Sequence, residues 1–177
     1  LGLFRPLARQ NLAMGRFAHR GVWAGAGSTG PTREGVVKFA ETLKRANINE
    51  VFFGIKEGDG WLCWPSKVRP EAVKPEYKDF DLPAAMIEEC GARGIAVHAW
   101  MIDFFEGEHG EAFRQHPEWA MRDAQGRTTA EETLRGRRFG AVWMCPAQRP
   151  GYTDQWLVPL YEELAARYHF ASVHHDY

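Results

Sequence analysis

Cysteine is sparse in this chain: Cys63, Cys90 and Cys145 are odd in number, widely spaced and form no CxxC pair. That argues against a disulfide framework and a structural zinc site, and the three read as ordinary buried thiols. Net charge is small, −1 over 177 residues, with no long Lys/Arg run, so the basic footprint of a nucleic-acid binder is missing. Long hydrophobic runs are missing too. Stretches such as Val51 to Ile55 are strand-sized, far short of the roughly 20 apolar residues that cross a bilayer. Residues Leu1 to Arg20 hold basic residues and short apolar stretches but no continuous hydrophobic region or small-residue cleavage motif, which leaves the compartment unassigned.

What is present is a globular composition, 45% hydrophobic and 25% charged, enough for one core. Four segments rich in β-branched or aromatic residues and bounded by turn signals predict strands: Gly21 to Gly25, Val51 to Lys56, Ile95 to Met101 and Ala171 to Asp176. Helical patterns separate them. Thr32 can cap a helix carrying Val36, Val37, Ala40 and Leu43 at a 3.6-residue period, and Asp81 a second with Pro83 in its first turn and Met86, Ile87 and Cys90 on one side. A third runs from about Thr153 to Tyr168, where Pro159 predicts a kink or a split. Alternating strands and helices imply a parallel sheet of right-handed crossover units, an α/β fold.

Two connections are long for such a fold and leave the C-terminal ends of strands, where barrel enzymes build their sites. The loop from Glu57 to Phe80 carries Trp61, Trp64 and Tyr77; that from Ile102 to about Pro150 carries Phe104, Phe105, His116, Trp119 and Trp143. Exposed rings on that rim suit a sugar-binding cleft, and packing of the loops themselves is the plain alternative for each. Gly25, Gly27 and Gly30 have the G-x-G-x-x-G spacing of a dinucleotide loop, but Lys56 rather than an acidic residue ends the second strand. No cofactor is expected.

Period-2 alternation sorts the strand residues. Ile95, Val97 and Ala99 should meet the helices, while His98 and Trp100 point into a barrel. Ser172, His174 and Asp176 fall together, with Asp176 at the mouth and His174 one layer below; Gly54 and Lys56 share a face, bringing Lys56 to the same rim. A carboxylate at the end of a barrel strand is a catalytic candidate, and inward polar side chains need partners, so His98, His174 and Asp176 are expected to bond to one another or to a ligand.

Gly58 to Lys67, Asp79 to Asp81, Arg93-Gly-Ile-Ala-Val-His-Ala-Trp100, His116-Pro-Glu-Trp119, Cys145-Pro146 and Tyr168 to Tyr177 together resemble the glycosyl-hydrolase-like (β/α)8 barrel family, from about Arg20 onward. Ala171-Ser172 depart from the Asp-Gly of the family pattern. The resemblance implies the N-terminal half of a TIM (β/α)8 barrel, truncated after strand four, with residues 1–19 a lead-in and residues 20–177 the partial barrel domain. It implies a glycoside hydrolase acting on a poly- or oligosaccharide with two carboxylates: Asp176, which matches the one ending strand four, and a partner in the second half. Trp61, Trp64, Trp100, His98, His174 and Lys56 are the expected substrate-binding residues. The alternatives are a metal-dependent barrel hydrolase using His98, His174 and Asp176, although no metal site is assigned, and a non-catalytic carbohydrate-binding barrel. Unpaired strand edges of a half-barrel would favour self-association.

Overall fold

A computed structural model describes residues 18–131, 133–134, 137–138 and 140–177; of the expected lead-in, all but Ala18 and His19 lies outside the described residues. Four parallel strands form the central sheet: β1 (Gly21–Gly25), β2 (Glu50–Lys56), β3 (Ala96–Ile102) and β8 (Ser172–Asp176). They lie side by side in chain order. That succession, without the reversal of a doubly wound sheet, is the one found in a (β/α) barrel.

The crossover helices are α1 (Arg33–Arg45), α2 (Leu82–Gly91) and α4 (Val158–Arg167). Thr32 and Asp81 cap the first two, accepting the N–H groups of Gly35 and Ala84 at 3.1 and 3.2 Å. The third pattern is one continuous helical run: Thr153–Leu157 form a π-helical stretch that passes directly into α4 at Val158, so Pro159 does not split it, and the irregular π-helical turns lie just before the residue that lacks an N–H. One apolar cluster joins Val51, Phe53 and Ile55 of β2 and Val97, Ala99 and Met101 of β3 with Val36, Ala40 and Leu43, Met86 and Cys90, and Leu160 and Leu164 of the three helices. Among the described residues no helix is long and apolar enough to cross a membrane.

The long loop after β3 is largely structured. It holds β4 (Phe105–Gly107), α3 (Glu111–Gln115), a short hairpin of β5 (Thr133–Leu134) with β6 (Arg137–Arg138), and β7 (Ala141–Trp143). β4 and β7 pair antiparallel into a small ribbon.

Two buried carboxylates hold the loops to the sheet, and both revise expectations drawn from the sequence. Glu163 on α4 accepts the Trp64 indole N–H (3.1 Å), the Ser66 hydroxyl (2.6 Å), the Lys67 backbone N–H (2.7 Å) and the Arg167 guanidinium (3.0 Å). Trp64 therefore fastens the β2–α2 loop to a helix and has no accessible surface; it is not a subsite wall. Glu106 of β4 pairs with Lys56 at 2.8 Å, both side chains fully buried. Lys56 does not reach the rim because a bulge breaks the alternation: Gly54 is level with Trp100 but Lys56 with Met101, on the helix-facing side. Its ammonium also donates to the Ile102 carbonyl at 2.6 Å.

A buried ion pair that loses one partner strands a charge, which costs about 3–5 kcal/mol. Lys56→Met should lower the unfolding free energy by about that much in urea titrations, and adding Glu106→Gln should recover part of it. A loss below about 1 kcal/mol would remove the pair from its anchoring role.

At Glu163 burial works to raise the carboxyl, but the bonds from Lys67, Ser66, Trp64 and Arg167 outweigh it and hold the group below its ordinary value of 4.5. A carboxyl depressed in the folded state stabilises fully above that value, and the contribution is lost as pH falls through the lower folded one. Stability followed from about pH 5 to about pH 3 should decline, and Glu163→Gln should shallow that decline. Superimposable acid limbs for the two proteins would contradict the assignment.

Candidate active site

The sheet face opposite the helices carries the candidate residues in rows set by strand register. Trp23, Phe52, His98 and Ser172 form one row; Gly25, Gly54, Trp100 and His174 the next; Ile102 and Asp176 stand above them. In the lower row Phe52 is sandwiched between Trp23 and His98, with centroids 4.9 and 4.6 Å away. The His174 ring meets Phe52 and Trp23 edge-on at 5.2 and 5.8 Å. His98 Nδ1 lies 2.7 Å from Ser172 Oγ, and its buried Nε2 has no partner among the described residues.

Trp100 owes its position to a missing side chain. A Cβ on Gly54 would lie 3.2 Å from Trp100 Cε3, so the indole crosses the strip of sheet that glycine leaves open there. Its Nε1–H then donates to Asp176 Oδ2 at 3.0 Å, while the Tyr177 backbone N–H donates to Oδ1 at 3.0 Å. Both oxygens of Asp176 thus act as hydrogen-bond acceptors. The expected mutual bonding of His98, His174 and Asp176 does not occur: the first turns to Ser172, the second lies against aromatic rings, and the third is held by Trp100. Among the described residues no group of three His, Cys, Asp or Glu side chains is placed to hold a metal ion.

Trp61 sits half-buried in the turn after β2, its backbone N–H on Asp59 Oδ1 at 3.2 Å. Lys56 and Trp64, by contrast, lie wholly inside the protein.

Several residues that secure the rim carry no signal in the sequence. Asp103, just past β3, donates its N–H to the Asp176 carbonyl at 2.8 Å, and the Phe104 N–H reaches the Tyr177 carbonyl at 2.9 Å. The buried Asp103 carboxylate accepts the Tyr161 hydroxyl and lies 2.9 Å from His175 Nδ1. Tyr152 donates toward Glu106 and the Asp103 carbonyl. Burial first, then the neighbouring carboxylate, pushes the phenols of Tyr152 and Tyr161 well above their ordinary value, so both remain neutral donors. The partners lie far apart in sequence, and no local periodicity pairs them.

Residues 18–177 match the family model described as glycosyl hydrolase-like 10. A 73-residue stretch is 34% identical to a protein named glycosyl hydrolase DigH from Escherichia coli (strain K12), covering 38% of this chain and 16% of that protein. In structure the chain is similar to alpha-L-fucosidase isoenzyme 2 from Paenibacillus thiaminolyticus, with a TM-score of 0.71 at 20% identity over 91% of this chain and 24% of that one. It is also similar to TtGalA, an alpha-galactosidase from Thermus thermophilus, with a TM-score of 0.55 at 15% identity over 93% and 33%. The chain thus spans 16%, 24% and 33% of the length of these three proteins. At these identities the structural likeness speaks to fold alone, and the fold is that of TIM-barrel glycosidases, partly covered.

Gly54→Ala tests the placement of Trp100. The added methyl must displace the indole or the strand, at about 1–3 kcal/mol, and should weaken the bond to Asp176. Faster solvent exchange of the Trp100 indole proton by NMR is the expected result. Unchanged exchange would show that the glycine strip is not what positions the ring.

Proposed function

Because the chain belongs to the glycosyl hydrolase-like 10 family, we propose that it carries one of the two carboxylates, Asp176, that hydrolyse an O-glycosidic bond in a poly- or oligosaccharide. The observation that carries this reading is the mounting of Asp176: a side chain at the end of the last strand, held by an indole and a backbone amide on the end of the sheet where barrel enzymes work. The partner carboxylate belongs to a later barrel strand. Residues 20–177 act as one segment of the barrel domain, and residues 1–19 lead into it.

In this reading Asp176 is the group that attacks the anomeric carbon or takes up a proton, and the partner protonates the leaving oxygen. The separation of the two fixes the outcome: about 5–5.5 Å for retention, about 6.5–9.5 Å for inversion. Trp100 orients Asp176 and offers the rest of its ring as a wall of the sugar site. His174 and His98 lie below on the same face as the floor of the sugar site, His98 held by Ser172, and Trp61 borders the cleft from the β2 loop. The outer edges of β1 and β8 support self-association of this segment when nothing covers them.

The test is Asp176→Asn in the full-length protein, assayed on a glycan that the wild type hydrolyses. Loss of a carboxylate acting in the transition state should lower kcat by about 10²–10⁴-fold, with KM nearly constant. Near-wild-type turnover would end the assignment.

A further inference from the structure

The β4–β7 ribbon has two chemically different faces, and only one of them is spent on anchoring it. Phe105 pairs with Trp143, Glu106 with Val142 and Gly107 with Ala141. Alternation sends Glu106 and Val142 inward, where both are fully buried. Phe105 and Trp143 project from the other face and are only half-buried. Their rings meet at 5.0 Å and 62°, and Tyr177 closes a third side at 5.9 Å from Phe105 and 6.1 Å from Trp143. Tyr177 is 60% exposed.

This three-ring cluster stands next to the carboxylate. Tyr177 follows Asp176 directly and gives its N–H to Oδ1, while its carbonyl accepts the Phe104 N–H at 2.9 Å. From the other side, a Cβ on Gly58 would lie 3.3 Å from Phe105 Cδ1, so the β2 loop passes against the same ring. The geometry points to a saccharide-stacking subsite formed by Trp143, Phe105 and Tyr177, binding the sugar unit adjacent to the one at Asp176. This rests on the glycosidase reading above and moves the aromatic wall from Trp64 to Trp143.

A saccharide suits the place better than a purely apolar ligand. An apolar group would have to cover Asp176 and leave a charge without solvent. A pyranose presents C–H groups to the ring faces and hydroxyls to the carboxylate at once, the mixed lining of apolar walls and a few placed polar groups that small-molecule sites use.

The experiment uses the full-length protein carrying Asp176→Asn, titrated calorimetrically with maltohexaose, cellohexaose and chitohexaose. At least one should bind. Trp143→Ala should then weaken that binding by about tenfold or more, whereas Trp143→Phe, which keeps a ring, should weaken it about threefold or less. In the protein with native Trp143, the bound hexasaccharide should also slow oxidation of that indole by N-bromosuccinimide, mapped by mass spectrometry, a readout that survives if the alanine variant fails to fold. Binding by none of the three sugars, equal affinity with alanine, or unprotected oxidation overturns the subsite. These outcomes are separate from the hydrolytic reading: an active Asp176→Asn protein would remove the catalytic role of Asp176 and leave the Trp143 result standing.

Discussion

The ion pair between Lys56 and Glu106 is the constraint on which the rim depends. Two charges without solvent are tolerated only when each is matched, and here the matching partners come from the end of β2 and from the ribbon that follows β3. The ammonium is shared with the Ile102 carbonyl, and the carboxylate takes the Tyr152 hydroxyl as well. Gly60 completes the fit. It has φ +87, and a Cβ there would lie 2.0 Å from Glu106 Oε2, so the turn after β2 closes over the carboxylate only with glycine at that position. A polar contact beneath the ribbon thereby fixes the surface beside Asp176.

A second constraint acts within the sheet. The upper row across the strands reads Gly25, Gly54, Trp100, His174, two absent side chains followed by two large ones. The space left bare at Gly54 is occupied by the indole, and the indole in turn reaches Asp176. The row below has no glycine, and Trp23, Phe52 and His98 stack in sequence. One row is thus a gap filled from the side and the other a continuous aromatic layer, although both follow the same alternation.

This difference explains how much could be read in advance. Strand and helix positions were legible because they rest on local periodicity and capping: Thr32 and Asp81 each occupy the place that their chemistry dictates. The inward orientation of His98, Trp100, His174 and Asp176 follows from the same alternation. Lys56 escaped it because a bulge changes the parity of one strand, and nothing in Gly54-Ile-Lys56 marks the bulge. Trp64 escaped because its partner, Glu163, lies on a helix far along the chain; a tryptophan in a long loop looks the same whether it lines a cleft or staples the loop. Asp103 and Glu106 acquire their roles only through tertiary contact.

The backbone at Asp176 shows why loop and strand must be considered together. Asp103 and Phe104 extend the hydrogen bonding between β3 and β8 beyond the sheet, one amide to Asp176 and one to Tyr177. The same Asp103 uses its side chain to hold Tyr161 and His175, which fixes the helix-facing side of β8. Asp176 is therefore held at its carbonyl by a loop, at one carboxylate oxygen by Trp100 and at the other by the next amide. A carboxylate restrained at three points keeps its geometry without reorganising, which is the preorganisation that the role proposed for Asp176 would draw on. The buried polar contacts of the rim thus serve the placement of a single carboxylate as much as they serve the stability of the loops.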